Sequence, residues 1–207
     1  MPSTIEKPAG CPVFPPHADP DGDCCLRDLL DAEPARRDLA FPEGFAGGIA
    51  HRLDVHTSGA LLVADDPAEL ALIREAFAEK RFVKTYRMRA AKAVPWSENR
   101  CDRAIAHDRK KRKRMVVQRS SGTPHRGKWY PAHTQFRRVR DDLFEVTITT
   151  GVMHQIRVHA AFLGIPILGD RLYGGGGDGA FHLHHVGLRG PFETSPVSCP
   201  EWARDRP

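Results

Sequence analysis

The chain has 207 residues, 41% of them hydrophobic, with 31 lysines and arginines against 26 aspartates and glutamates, a formal charge of +5. That length fits one domain, or one with a modest insertion, around a real core, and the positive balance favours a polyanionic partner. No apolar run reaches the ~18 residues of a membrane span. The five cysteines (Cys11, Cys24, Cys25, Cys101, Cys199) show no CxxC spacing and no leader pattern precedes them, which excludes a disulfide framework or structural zinc and predicts a reduced, cytoplasmic setting.

Residues 1–48 are expected to be irregular, since prolines at 2, 8, 12, 15, 16, 20, 34 and 42 leave room only for a short helix over 26–32. Next comes His51-Arg52-Leu53-Asp54-Val55-His56-Thr57-Ser58-Gly59, a Gly/Ser/Thr turn that runs into a buried strand over 59–64. A carboxylate on such a turn, here Asp54, is held by backbone, although Asp and Thr also favour turns for purely local reasons. Asp65 or Asp66 can cap a helix with Pro67 in its first turn, running to about Lys80 with Leu70, Ile73 and Phe77 on one face. A strand over 82–90 puts Lys84, Tyr86 and Met88 on one face and Val83, Thr85 and Arg87 on the other.

Residues 107–128 form a basic insertion, expected as an exposed loop with a short strand over 115–117. It contains six uninterrupted cations, Arg109, Lys110, Lys111, Arg112, Lys113 and Arg114, followed by Arg119, Arg126 and Lys128. Such a run fits a solvated loop, a localisation tag or a grip on phosphate. Two strands over 132–139 and 143–150 meet at the turn Arg140-Asp141-Asp142, and a helix over 153–163 stops at Gly164 and Pro166. The glycine tract 174–177 lacks the Lys-Ser/Thr of a phosphate loop and reads as a flexible connection; His182-Leu183-His184-His185 reads as a strand. Strands outnumber helices and the hairpins are local, so the fold class is α+β, with a mixed, largely antiparallel sheet flanked by helices and loops, as one domain over 1–207.

The second informative string is Thr150-Gly151-Val152-Met153-His154-Gln155-Ile156-Arg157-Val158-His159. Arg157 has no carboxylate three or four residues away, which leaves either a solvated arginine or one with a long-range acidic partner. Tyr86 suits either a core position or stacking on a base. His154 and His159 lack the HExxH pattern, and the histidines at 182, 184 and 185 have no carboxylate or cysteine beside them, so no metal is expected.

Together these strings resemble the RluA-type pseudouridine synthases. The match runs through His51-Arg52-Leu53-Asp54, Thr57-Ser58-Gly59, Lys84 and Tyr86, Thr150-Gly151, and His154-Gln155-Ile156-Arg157-Val158-His159. It continues in Pro166-Ile167-Leu168-Gly169-Asp170 and Leu172-Tyr173-Gly174, with weaker echoes in Lys7-Pro8-Ala9-Gly10 and Leu183-His184. The resemblance implies the pseudouridine synthase fold and isomerisation of specific uridines in rRNA or tRNA, with Asp54 as catalytic carboxylate, Arg157 paired to it and Tyr86 packed on the target base. It associates His51 and Arg52 with RNA contact and with prying the uridine from its stack, a flip needed because the reacting atoms are unreachable in a helix. Thr57 belongs to the same motif, and Leu183 lines the pocket. Substrate and product are isomers, so no cofactor is implied; the expected partner is RNA and the expected state a monomer.

Three departures stand out: Gly151-Val152-Met153 replaces the family's Gly-Arg-Thr or Gly-Arg-Ser, the first strand is expected to be cut to about five residues, and no S4-like module is expected. Recognition then falls to the catalytic domain, with residues 109–114 as the candidate grip on RNA backbone. The alternatives are a weak or inactive RNA-binding or chaperone protein on the same scaffold, and an isomerase of small nucleotides.

Overall fold

The computed structural model describes residues 2–176 and 179–204. In chain order the elements are β1 (Ser3–Lys7), α1 (Cys25–Ala32), β2 (Ser58–Val63), α2 (Pro67–Ala78), β3 (Val83–Arg89), β4 (Glu98–Cys101), β5 (Ile105–Asp108), β6 (Met115–Val117), β7 (His125–Tyr130), β8 (Thr134–Arg140), β9 (Leu143–Ile148), α3 (Gln155–Phe162) and β10 (Leu183–Arg189). Short 3-10 turns cover Pro34–Asp38, Ala46–Gly48 and Glu201–Ala203. The pairs β1–β2, β4–β8, β5–β6, β5–β7 and β8–β9 are antiparallel and β10–β2 is parallel, so the α+β class with a mixed, largely antiparallel arrangement holds.

The chain divides into two compact units. One runs to Lys84 and resumes over His184–Pro200; the other runs from Thr85 to Leu183 and takes in the chain from Glu201. In the first, strand order is β1-β2-β10. Strand β2 is apolar on both faces and buried from Gly59 to Val63, as a strand covered on both sides must be. One face packs with Val13, Cys25, Leu29 and Ile49, the other with Leu70, Ile73, Phe82 and Leu188. Gly59 sits at φ 119°, and a Cβ there would meet the His185 carbonyl oxygen at 2.1 Å, so only glycine lets β10 approach β2 this closely. Helix α2 starts as its sequence demands: the Asp66 carboxylate accepts the Glu69 N–H at 2.8 Å and the Glu69 carboxylate accepts the Asp65 N–H at 2.8 Å.

The Pro-rich start is more ordered than its composition predicts. Arg36 is buried and donates to the carbonyls of Gly47 and Ala64 at 3.2 and 2.7 Å, so long-range bonds replace the missing local periodicity.

In the second unit one sheet has the order β3-β9-β8-β4 and a smaller one the order β6-β5-β7. The basic insertion is therefore a small antiparallel sheet, not a loop with one strand. Its third strand, His125-Arg126-Gly127-Lys128-Trp129-Tyr130, has no apolar alternation and forms by pairing to β5, a tertiary override of local pattern. The part of the glycine tract within the described residues is tied down as well, and Gly177 lies outside them. Gly175 donates to the Asp170 carbonyl at 2.8 Å and its own carbonyl accepts from Gly169 at 3.0 Å. A Cβ at Gly175 would meet the Ile167 carbonyl at 1.7 Å, so close backbone approach, not flexibility, explains the glycine.

Candidate active site

Four of the expected residues, His51, Arg52, Asp54 and Thr57, lie on one stretch of the first unit, ahead of β2. The Thr57 N–H closes the turn onto the Asp54 carbonyl at 3.0 Å, and the Gly10 N–H reaches the Val55 carbonyl at 2.9 Å. Below it sits Lys7, fully buried, whose ammonium donates to the carbonyls of Val55 (2.7 Å), Thr57 (2.7 Å) and Pro8 (2.9 Å). Burial pulls the Lys7 ammonium below the usual lysine range, opposed by Cys25, Cys11 and Asp54 nearby. A buried cation that fills its donor geometry with carbonyls is a clamp: it fixes the backbone on the C-terminal side of Asp54 without consuming the carboxylate.

His51 packs edge-on against His185, with ring centroids 5.5 Å apart, and leans on Phe77 at 5.6 Å. Its Nε2 accepts the Leu62 N–H at 3.1 Å, which makes it a support for the strand behind the turn. Arg52 is exposed. Lys84 lies 5.1 Å over the Phe77 ring, and burial pulls its ammonium down to about 8. His185 is fully buried, its Nδ1 2.6 Å from the Ala60 carbonyl, and burial pushes its imidazole down to about 4. His51 and His184 are lowered too, chiefly by burial.

These shifts have a consequence for stability. The unfolded state binds the His185 proton at about 6.5 and the folded state only at about 4. Folding stability is therefore intact above pH 6.5 and is lost as pH falls towards 4, by up to about 3 kcal/mol from this group. Urea melts between pH 7 and 4.5 should show this fall, and His185→Gln should make it shallower; an unchanged slope would remove His185 as its source.

In the second unit Tyr86 is buried on β3, whose alternating burial matches the expected faces. Arg157 lies in the first turn of α3 and forks onto Asp170, Nε to Oδ2 at 2.8 Å and NH2 to Oδ1 at 3.0 Å. The Asp170 side chain is fully buried and also accepts the N–H groups of Leu172 and Tyr173 at 3.1 and 3.2 Å. The long-range acid is thus Asp170, thirteen residues on in Pro-Ile-Leu-Gly-Asp, and the guanidinium stands 5.2 and 5.3 Å over the rings of Tyr173 and Phe181. Leu183 is buried at the start of β10.

The start of α3 explains how Val152-Met153 is tolerated. Gln155 accepts the Val152 N–H (3.2 Å) and the Thr150 hydroxyl (2.8 Å), and donates to the His133 carbonyl (2.9 Å) and Thr134 hydroxyl (3.0 Å). Val152 packs on the apolar cluster of Ile105, Met115 and Val158, while Met153 is exposed. His159 is fully buried between the Thr134 hydroxyl and the Arg103 carbonyl, which fixes it as a structural imidazole. Among the described residues, no group of three His, Cys, Asp or Glu stands ready to hold a metal, and no helix is long and apolar enough to cross a membrane.

The basic run closes the β5–β6 hairpin. Its backbone is pinned by Asp108, whose carboxylate accepts the N–H groups of Lys110 and Lys111 at 2.8 and 2.9 Å and is held below the usual range by them. Arg109 through Lys113 are exposed, whereas Arg114 folds back with its guanidinium 5.5 Å over Tyr173. On β7, His125 and Trp129 stack at 4.3 Å and Lys128 lies over Tyr130.

Sequence reasoning placed the turn and Arg157 but missed two residues that hold them, Lys7 and Asp170. Both stand inside quoted strings, Lys-Pro-Ala-Gly and Pro-Ile-Leu-Gly-Asp, so position in those strings was the available signal.

Comparison with known proteins shows the family of the chain. The family model for RNA pseudouridylate synthase matches residues 3–162. Among curated relatives, the ribosomal large subunit pseudouridine synthase D of Xylella fastidiosa is 38% identical over 174 residues, 83% of this chain and 48% of that protein. The chloroplastic RNA pseudouridine synthase 2 of Oryza sativa subsp. japonica is 38% identical over 131 residues, 62% of this chain and 29% of the relative. The chain thus spans about half or less of the length of these relatives. Among solved structures, human RNA pseudouridylate synthase domain containing 1 superposes with a TM-score of 0.69 at 25% identity, covering 86% of this chain and 74% of that one.

Proposed function

Since the chain belongs to the RNA pseudouridylate synthase family, we propose that it isomerises uridine to pseudouridine in RNA, with Asp54 as the catalytic carboxylate. The observation that carries this reading is the Lys7 clamp: a fully buried ammonium holds two carbonyls of the Asp54 turn, a costly arrangement that a mere surface turn does not need. In the reaction the N1–C1′ bond breaks, the base turns, C5 bonds to C1′ and the C5 proton leaves. Asp54 either adds covalently or promotes an elimination at the sugar, and both routes need it ionised and fixed.

Tyr86 is assigned to the face of the flipped base, Arg157 to orienting Asp54, and Leu183 to the pocket wall. Asp170 pre-sets the Arg157 guanidinium by its two-point fork, which removes the freedom a solvated arginine would have. Arg52 is assigned to RNA contact; His51 braces β2 behind the turn and the Thr57 N–H closes the turn itself. No cofactor takes part, since substrate and product are isomers. The names of the relatives favour large-subunit rRNA over tRNA as substrate.

Tritium release from C5-labelled uridine tests the activity, with rRNA and tRNA assayed separately. Release from rRNA is the expected result; none from either RNA would overturn the reading.

The exposed cations Arg109 to Lys113 are assigned to RNA phosphate. Replacing them by serine should lower the slope of log affinity against log salt by roughly 2–4, one phosphate contact being worth just under one unit of slope. Filter binding across a salt series measures this, and an unchanged slope would exclude the hairpin from the interface.

A further inference from the structure

We propose that Cys11 and Cys25 form a reversible disulfide that staples helix α1 to the segment holding the Asp54 turn. Their sulfurs stand 3.8 Å apart across fourteen residues of chain. The approach is built into the backbone: the Cys25 and Leu26 N–H groups donate to the carbonyls of Pro12 and Val13, both at 3.0 Å, which registers the start of α1 against the residues after Cys11. A disulfide bond is about 2.0 Å long, so the sulfurs need close by less than about 2 Å, within reach of a side-chain rotation.

The two thiols have distinct places. Cys11 is partly exposed and Cys25 is buried at the first turn of α1. Burial pushes the Cys25 thiol up to about 12, so Cys11 opens the exchange and Cys25 completes it. The co-reactant is a low-molecular-weight disulfide of the glutathione type. The Cys11 thiolate attacks one of its sulfurs, forming a mixed disulfide and releasing one small thiol. Cys25 then loses its proton, attacks the Cys11 sulfur and expels the second small thiol. Two protein thiols become one disulfide, the small disulfide is reduced by two electrons, and both thiol protons end on the released thiols.

The pair is wired to the turn. Gly10, directly before Cys11, donates to the Val55 carbonyl at 2.9 Å, and Lys7 holds Val55 and Thr57 at 2.7 Å. Closing the disulfide takes up the rotational slack of the two side chains and ties the segment that holds the turn to α1, which restricts the turn's motion. Oxidation should therefore slow turnover several-fold while stabilising the fold by ring closure, an upward shift in melting temperature of roughly 5 °C. The turnover effect rests on the assignment of Asp54 given above; the disulfide itself does not.

The experiment exposes the full chain to glutathione disulfide, then counts thiols and maps cross-linked peptides without reduction. The expected result is the loss of two of the five thiols and a Cys11–Cys25 cross-link that dithiothreitol reverses. Cys11→Ser and Cys25→Ser should lose the cross-link while Cys24→Ser and Cys199→Ser keep it, with melting curves of the reduced variants confirming that each is folded. A stable glutathione adduct on Cys11 without a cross-link, or a cross-link through Cys24, would overturn the pair. Turnover of the oxidised chain, recovered by dithiothreitol and insensitive in Cys25→Ser, supports the link to the turn; a closed disulfide with unchanged turnover refutes it. Failure of reduced wild type to isomerise uridine would instead strike the Asp54 assignment, leaving the cross-link result to stand alone.

Discussion

Asp54→Ala should lower uridine isomerisation by about a thousandfold or more, while RNA affinity stays within a few fold. The large loss follows from the assigned role, since neither covalent addition nor assisted elimination proceeds without the carboxylate. The small effect on binding and folding follows from how the turn is held. Its closure uses the Asp54 carbonyl, accepting from Thr57, and its anchoring uses the Val55 and Thr57 carbonyls on Lys7. Alanine keeps all of those backbone groups. Tritium release and filter binding on the same preparation separate the two quantities. Turnover within tenfold of wild type would remove Asp54 from the chemistry, and absent turnover in both proteins with intact binding would favour a non-catalytic RNA-binding role.

Arg157→Ala should cost about 3–5 kcal/mol of folding stability, because it strands a buried carboxylate. Asp170 has no exposed side-chain surface and loses both arms of its fork, keeping the Leu172 and Tyr173 N–H groups among the described residues. For a chain of this size the melting temperature should fall on the order of 10 °C. Arg157→Lys, which retains charge but cannot fork, should lie between. A double-mutant cycle with Asp170→Ala should show strong non-additivity, since removing both partners leaves no orphan charge. Additive losses would mean the pair is not coupled. If Arg157 also orients Asp54, the folded fraction of Arg157→Lys should turn over more slowly than Asp170→Asn of equal stability; equal rates would restrict Arg157 to a structural role.

Much of the fold was legible because its signals are local. Asp66, Pro67 and Glu69 fix the start of α2 within one turn of chain, and Gly164 with Pro166 stop α3. The alternation in Val83–Arg89 sets which face of β3 carries Tyr86. The β7 strand and the ordered Pro-rich start were not legible, since both are made by distant partners: β5 for His125–Tyr130, and the Ala64 carbonyl for Arg36.

The same division runs through the candidate site. By itself the sequence determined the turn around Asp54, the helix that carries Arg157 and the run of cations over 109–114, because glycine, proline, capping and charge act over a few residues. Only the tertiary structure decided what holds them. Lys7 meets the turn across 48 and 50 residues, Asp170 meets Arg157 across 13, and Cys11 meets Cys25 across 14. A lysine stem, a carboxylate and a thiol carry no mark of their partners in the chain; burial in a packed interior is what forces each to find one.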